Sequence, residues 1–91
     1  MRDTATATLT IVYLARLREV LGLASETIAL PGDVGTAGAL RAWLASRGGA
    51  WAVELAPGRA VRVAVNHELA DEATPVRAGD EVALFPPVTG G

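Results

Sequence analysis

The sequence contains no cysteine, no lysine and only one histidine, His67. Without cysteine, the chain has no disulfide, no thiolate ligand for zinc and no cysteine nucleophile. One histidine cannot form a multi-histidine metal site, and the absence of lysine means that the chain cannot form lysine-linked chains with itself. The net charge is only −2, which argues against general electrostatic binding of nucleic acid.

Long hydrophobic runs are also missing. No apolar stretch approaches the ~20 residues that cross a bilayer, and the polar residues 1–8 lack the apolar run of a secretory signal. We therefore expect a soluble, cytoplasmic protein that binds neither membrane nor nucleic acid. Because 51% of the 91 residues are apolar, we expect one domain with a modest packed core.

Apolar periodicity predicts the secondary structure. Leu9, Ile11 and Tyr13 alternate along a first strand, and Thr36 is a good N-cap for a helix whose apolar stripe includes Leu40. The predicted elements are a strand over 9–15, a helical turn over 16–21 closed by Gly22, a strand over 25–30, a helix over 37–46, a helical turn over 50–55, a strand over 60–65 and a strand over 81–85. Gly38 lies in the first turn of the helix and is predicted to cost ~1 kcal/mol relative to alanine.

This order of elements predicts an α+β domain in which a mixed sheet is covered on one face by the helix. A β-grasp arrangement fits the order, although periodicity alone does not fix the topology. We expect a flexible extension over 1–8, the folded domain over 9–85 and an extended tail over 86–91. By strand alternation, five residues should share the sheet face away from the helix: Val12, Leu14, Ala64, Ala83 and Phe85.

Ordinary catalytic motifs are difficult to find in this sequence. His67 with Glu68, Asp71 and Glu72 forms a conceivable acid/base site, but the polar, turn-like segment favours a solvated surface. The glycines at 32, 35 and 38 are not followed by the Gly-Lys-Ser/Thr of a phosphate loop. We therefore expect no catalytic side chain and no metal site.

The C-terminus carries a more specific pattern, Phe85-Pro86-Pro87-Val88-Thr89-Gly90-Gly91. The two prolines end the sheet and favour an extended exit, since proline fixes φ. Gly90 and Gly91 have no Cβ, so they fit a channel too narrow for side chains. Six extended residues reach at most ~20 Å, which is enough to deliver a carboxylate into a partner's buried site.

This ending resembles that of the small subunit of molybdopterin synthase, a family whose members finish in a Phe-Pro-Pro-Val-Thr-Gly-Gly pattern. The resemblance covers roughly residues 9–91 and includes the segments 18–22, 36–41, 63–66 and 79–83. Gly38 departs from the family, in which an acidic residue is usual early in the helix.

The resemblance implies a ubiquitin-like β-grasp fold and a sulfur carrier that has no catalytic residues of its own. A ubiquitin-activating-like adenylyltransferase with ATP would adenylate the carboxylate of Gly91, and sulfur transfer would convert it to a thiocarboxylate. The carrier, which binds no cofactor, would then donate sulfur to cyclic pyranopterin monophosphate within a heterotetramer with the synthase large subunit. Val88, Thr89 and Gly90 would form the rest of the inserted tail, and the positions matching Leu69 and Phe85 would contact the partners.

Three other interpretations remain open. Sulfur carriers for thiamine, cysteine or thio-acid biosynthesis share the fold and the Gly-Gly end, although the Phe-Pro-Pro-Val-Thr stretch favours molybdopterin. A ubiquitin-like protein modifier, conjugated to lysines of its targets, is a second alternative. A plain interaction module, for which deletion of Gly90 and Gly91 would leave function intact, is the third.

Overall fold

Five strands and three helices make up the part of the chain that the structure, a computed structural model, describes: residues 7–87. In chain order they are β1 (Thr8–Tyr13), α1 (Ala15–Leu21), β2 (Ser25–Ala29), α2 (Ala37–Ala45), α3 (Gly49–Glu54), β3 (Arg62–Val65), β4 (Glu68–Ala70) and β5 (Glu81–Phe85). None of these described helices is long and apolar enough to cross a membrane.

The strands form one mixed sheet in the order β2-β1-β5-β3-β4. The central pair, β1 and β5, is parallel, and the other three pairs are antiparallel. Strands β1 and β5 therefore end at the same edge of the sheet, where β3 begins. The predicted mixed sheet is confirmed, and this edge is where the chain leaves β5.

The core lies between one face of the sheet and the helices. Alternate residues of β1 and β5 are buried, as the sequence pattern predicts, while their neighbours on the other face are partly or fully exposed. The buried apolar residues are Leu9, Ile11, Tyr13, Leu17, Leu21, Ile28, Val34, Ala37, Leu40, Leu44, Leu55, Val63, Val76, Val82 and Leu84. All three helices or their ends contribute to this cluster, so the helices cover one face of the sheet and leave the other uncovered.

The helix boundaries follow local sequence signals. Gly22 adopts the left-handed conformation at the end of α1, with φ of 70°, which glycine tolerates best. The Thr36 side chain accepts a 3.1 Å hydrogen bond from the backbone N–H of Ala39 and caps α2. Ala37, Leu40 and Leu44 form its buried stripe. These predictions are confirmed.

Several predicted boundaries need correction. Strand β1 begins at Thr8, one residue before the expected start, and β3 begins at Arg62 instead of residue 60. The sequence pattern predicts no strand between residues 65 and 81, but the structure has a short edge strand, β4, directly after the turn that follows β3. Asn66 and His67 form the two-residue turn of this hairpin, and both have positive φ, 51° and 72°, as a primed hairpin turn requires.

Gly38 also differs from its predicted role. A Cβ at this position would lie 2.9 Å from Cβ of Glu72 and 3.0 Å from its carbonyl oxygen. The same carbonyl accepts a 2.9 Å hydrogen bond from the backbone N–H of Gly38. Glycine is therefore needed here because the loop after β4 packs directly against the first turn of α2, and alanine would not be the better residue.

Candidate functional site: the uncovered sheet face and the tail exit

The C-terminal tail leaves from the centre of the sheet. Strand β5 lies between β1 and β3 and ends at Phe85. Pro86 and Pro87 follow outside any strand and are half-buried, as expected for residues that cannot continue the ladder. The predicted tail residues Val88, Thr89, Gly90 and Gly91 lie outside the described residues.

The uncovered face of the sheet presents an apolar row beside this exit. The strand register aligns Val12 with Ala83, Ala83 with Ala64 and Ala64 with Leu69. The row therefore crosses four strands at one level. Leu69, on the edge strand, is the most exposed large apolar residue in the described chain at 71%, so the row ends in an unpartnered apolar side chain.

Phe85 lies on the same face as this row and one level closer to the tail exit. Its side-chain direction alternates with buried Val82 and Leu84, and Phe85 itself is half-buried. Leu14, just beyond β1, is exposed, and its backbone N–H donates a 3.1 Å hydrogen bond to the carbonyl of Leu84. The structure confirms the predicted grouping on one face of Val12, Leu14, Ala64, Ala83 and Phe85, and it adds Leu69.

The structure does not bring together the conceivable acid/base group around His67. His67 lies on the exposed hairpin turn, and its nearest acidic partner is Glu81, with Nε2 and Oε2 3.8 Å apart. Glu72 pairs instead with Arg41, 3.0 Å away, and Oδ1 of Asp71 accepts hydrogen bonds within its own turn. Within residues 7–87, no group of His and acidic side chains is arranged to hold a metal ion.

A buried ion-pair network near the tail exit was not predicted from the sequence. Glu54, at the end of α3, is only 5% exposed. Its carboxylate accepts hydrogen bonds from both terminal nitrogens of Arg16 and a 3.1 Å bond from Arg59. Because Arg16 and Glu54 are 38 positions apart, local patterns could not reveal their contact.

A second polar network lies on the helix-covered face of the sheet and joins β1 and β2 to Arg47, just after α2. The phenol of Tyr13 donates to Glu26, and the guanidinium of Arg47 binds both oxygens of the same carboxylate. Burial, followed by the hydrogen bond to Glu26, raises the pKa of Tyr13. The hydrogen bonds from Arg47 lower the pKa of Glu26. The Arg47 guanidinium also lies 5.1 Å and 5.2 Å from the ring centroids of Trp43 and Trp51, so this network has a structural role.

A five-stranded mixed sheet with helices on one face, a parallel central pair and a tail leaving the central strand defines a ubiquitin-like β-grasp protein. The model of the ThiS family matches residues 11–91. The chain belongs to the ThiS family.

Named relatives narrow the comparison further. The chain is 42% identical to the molybdopterin synthase sulfur carrier subunit of Haemophilus influenzae, over 91% of this chain and 99% of the relative. Among solved structures, small archaeal modifier protein 1 of Haloferax volcanii is 31% identical over 92% of this chain and 99% of that chain, with a TM-score of 0.74. A complex of subunits 1 and 2 of the molybdopterin-converting factor from Helicobacter pylori contains a chain that is 25% identical over 92% of this chain and 99% of that chain, with a TM-score of 0.61.

Proposed function

We propose that this chain is the sulfur carrier subunit of molybdopterin synthase. The observation that carries the proposal is the placement of the tail: the central strand β5 ends on an uncovered apolar face and continues into Pro86-Pro87 and the terminal Gly-Gly sequence. The named sulfur carrier of Haemophilus influenzae, 42% identical over 91% of this chain, supports the same function.

The chemistry belongs to the carboxylate of Gly91. A carboxylate oxygen attacks the α-phosphorus of ATP, pyrophosphate leaves, and the mixed anhydride with AMP makes the carbonyl carbon electrophilic. A sulfide-level nucleophile (hydrosulfide or its equivalent) then attacks the carbonyl carbon, AMP leaves, and a thiocarboxylate results. The thiocarboxylate sulfur forms a C–S bond to the pyranopterin substrate as a C–O bond of that substrate breaks and its oxygen group leaves. Water then hydrolyses the acyl–sulfur bond, which leaves the sulfur on the pterin and returns the Gly91 carboxylate. No side chain of this protein takes part, and the tether supplies a high effective concentration.

Two protein partners follow from this proposal. An adenylating enzyme of the ubiquitin-activating type binds the tail with ATP, and the synthase large subunit binds it with the pterin. The solved Helicobacter pylori complex of subunits 1 and 2 supports a partner of the second kind. We assign docking to the apolar row ending at Leu69, together with Phe85. An exposed apolar patch beside the tail is typical of a surface that a protein partner covers.

The decisive test is intact mass spectrometry of the full chain after incubation with its adenylating enzyme, ATP and a sulfur source. We expect the mass to rise by the difference between one sulfur and one oxygen atom, and the modified chain to form molybdopterin when the large subunit and precursor are added. A chain whose mass is unchanged under conditions that modify a known carrier would contradict the proposal.

A protein modifier is the second candidate function. The 31% identity to small archaeal modifier protein 1 over 92% of this chain favours it, because the same activated carboxylate can acylate a lysine amine on a target. Covalent conjugates in lysate from cells that express a tagged chain, absent when Gly91 is deleted, would support this function. Molybdopterin formation without such conjugates would exclude it.

A further inference from the structure

Three arginines border the point at which the tail leaves the sheet. Arg16 lies in the first turn of α1, directly after β1, and Arg59 and Arg62 lie just before and at the start of β3. Since β1 and β5 end at the edge where β3 begins, these arginines flank the end of β5 on both sides. We refer to Arg16, Arg59 and Arg62 as the cationic rim.

Glu54 holds two members of the rim in place. It accepts hydrogen bonds from Arg16 and Arg59 while almost fully buried. Strands β1 and β3 are separated by β5, or ~10 Å, so this carboxylate bridges the two flanks of the exit. Two guanidinium groups share one carboxylate and keep a net positive charge. The side chains of Arg16 and Arg59 remain 56% and 46% exposed, which leaves donors available to a partner.

Arg62, the third member of the rim, lies on the proposed docking surface itself. It is directly opposite Phe85 in the strand register, and paired residues project from the same face of a sheet. Arg62 is exposed and forms no ion pair within residues 7–87. Asp71, which follows β4, directs Oδ1 to the backbone N–H of Ala73 and the hydroxyl of Thr74 instead.

The opposite end of this face has the opposite charge. Glu81 begins β5, and Asp80 precedes it and accepts a 3.0 Å hydrogen bond from Asn66. The face is therefore positive at the tail exit and apolar across its centre, and its far end carries the two carboxylates of Asp80 and Glu81 against one arginine, Arg77. A neutral apolar surface would bind this face in several orientations, whereas a charged one fixes a single orientation.

We propose that the cationic rim binds acidic side chains of the synthase large subunit at the mouth of the channel that receives the tail. This inference rests on the proposed function. A protein that draws the tail into a channel must cover the end of β5, and with it the rim. Burying the rim against an uncharged mouth would leave arginine charges unpaired, so an acidic mouth is the complementary surface. The rim would thereby orient the carrier and direct the tail into the channel.

The test is binding of the full-length chain to the large subunit, by titration calorimetry, at low and high salt. We expect Arg62→Ala to weaken binding about 3- to 5-fold at ~0.1 M salt, and Arg62→Glu to weaken it further. Both losses should shrink at ~1 M salt, where the screening length falls to ~3 Å. Arg77→Ala is the matched control, since Arg77 is exposed and lies in the turn before β5, at the other end of the sheet. It should bind like the wild type.

Three results would contradict the proposal that the cationic rim binds acidic side chains. They are wild-type affinity of Arg62→Glu at low salt, losses for Arg62→Ala that are the same at both salt concentrations, and an equal loss for Arg77→Ala. Circular dichroism melts on each variant separate a binding defect from unfolding. If the wild-type chain binds the large subunit and forms molybdopterin, and Arg62→Glu binds equally well, the proposed role of the cationic rim is refuted and the proposed function is not. If the wild-type chain does not bind the large subunit, both the proposed role of the cationic rim and the proposed function are refuted.

Discussion

The buried phenol of Tyr13 donates a 2.6 Å hydrogen bond to Oε2 of Glu26, and this contact joins the last residue of β1 to β2. Burial, aided by the carboxylate, raises the pKa of the phenol. A folded-state pKa above the unfolded one gives stability that is complete below the unfolded value of ~10 and is lost as the pH rises through the folded value. We therefore predict that the free energy of unfolding declines as the pH rises above ~10.

The composition allows the titration of Tyr13 to be tested with little interference from other groups. Tyr13 is the only tyrosine, and the chain has no lysine or cysteine, so few other groups titrate in the same range. Tyr13→Phe should lose about 1–2 kcal/mol at neutral pH, and its stability should no longer decline through the titration of the phenol. Urea denaturation across the alkaline range measures both effects. An unchanged alkaline decline in Tyr13→Phe would show that the phenol is not its source.

Acid stability should depend on Glu26. The hydrogen bonds from Arg47 lower the pKa of this carboxyl, so its stabilising effect is present above the unfolded value of ~4.3 and is lost as the pH falls through the folded value. We predict that Glu26→Gln is less stable than the wild type at neutral pH and that the difference narrows on acidification. Glu19→Gln is the control, because Glu19 is exposed on α1 and forms no ion pair in the described chain. Equal acid sensitivity in wild type and Glu26→Gln would contradict the assignment.

Gly38→Ala should destabilise the protein in spite of the higher helix propensity of alanine. The added Cβ would lie 2.9 Å from Cβ of Glu72, and forcing α2 away from this loop should cost about 1–3 kcal/mol. Gly32→Ala is the matched control, because no atom lies within 4 Å of its ideal Cβ. Thermal melts of the two variants separate the effect of the close approach to Glu72 from the effect of replacing a glycine by alanine where no atom is near. If Gly38→Ala melts at or above the wild-type temperature, the loop moves away without cost.

Sequence periodicity was sufficient for the elements whose signals are local. The alternation in β1 and β5, the Thr36 cap and the stop at Gly22 all depend on neighbours within a few residues, and all were confirmed. Strand β4 was missed because three residues are too short for a periodic pattern. The hairpin turn before it uses Asn66 and His67 in place of the usual Asn-Gly pair.

The errors and omissions near the site have a different cause. The close approach of Gly38 to Glu72 and the contacts of Glu54 with Arg16 depend on segments that are 34 residues or more apart. No local pattern encodes such contacts, because they arise only when the sheet has closed. Most of the uncovered apolar face was predictable because strand alternation alone assigns the residues of β1, β3 and β5 to one side. Leu69 was not assigned to it by alternation, because it lies on the missed strand β4. The role of the tail could be proposed from sequence because it depends on a short contiguous motif.

Leu69 should contribute to docking and not to folding. Its side chain lies at the exposed end of the apolar row on an edge strand, so Leu69→Ala should change the free energy of unfolding by less than about 0.5 kcal/mol. Binding to the large subunit should weaken by about 10-fold or more, because docking would bury this exposed apolar side chain. Val53→Ala is the control, since Val53 is 58% exposed on α3, away from this face. Unchanged affinity for Leu69→Ala, measured by titration calorimetry, would remove Leu69 from the docking surface.

Deleting Gly91 should abolish sulfur transfer and leave the fold intact. The fold should persist because the last buried core residue, Leu84, precedes Pro86 and Pro87, so deletion of the final residue removes no described core contact. Activity should be lost because one residue moves the terminal carbonyl by ~3.3 Å along an extended chain, and a displacement of ~1 Å can already reduce a rate ~100-fold. A chain with one residue added after Gly91 should fail for the same reason, whereas one glycine added before Met1 should be harmless. Circular dichroism tests the fold, and a coupled assay of molybdopterin formation tests the activity. Molybdopterin formation at the wild-type rate by the Gly91-deleted chain would show that the terminal carboxylate is not the sulfur-bearing group.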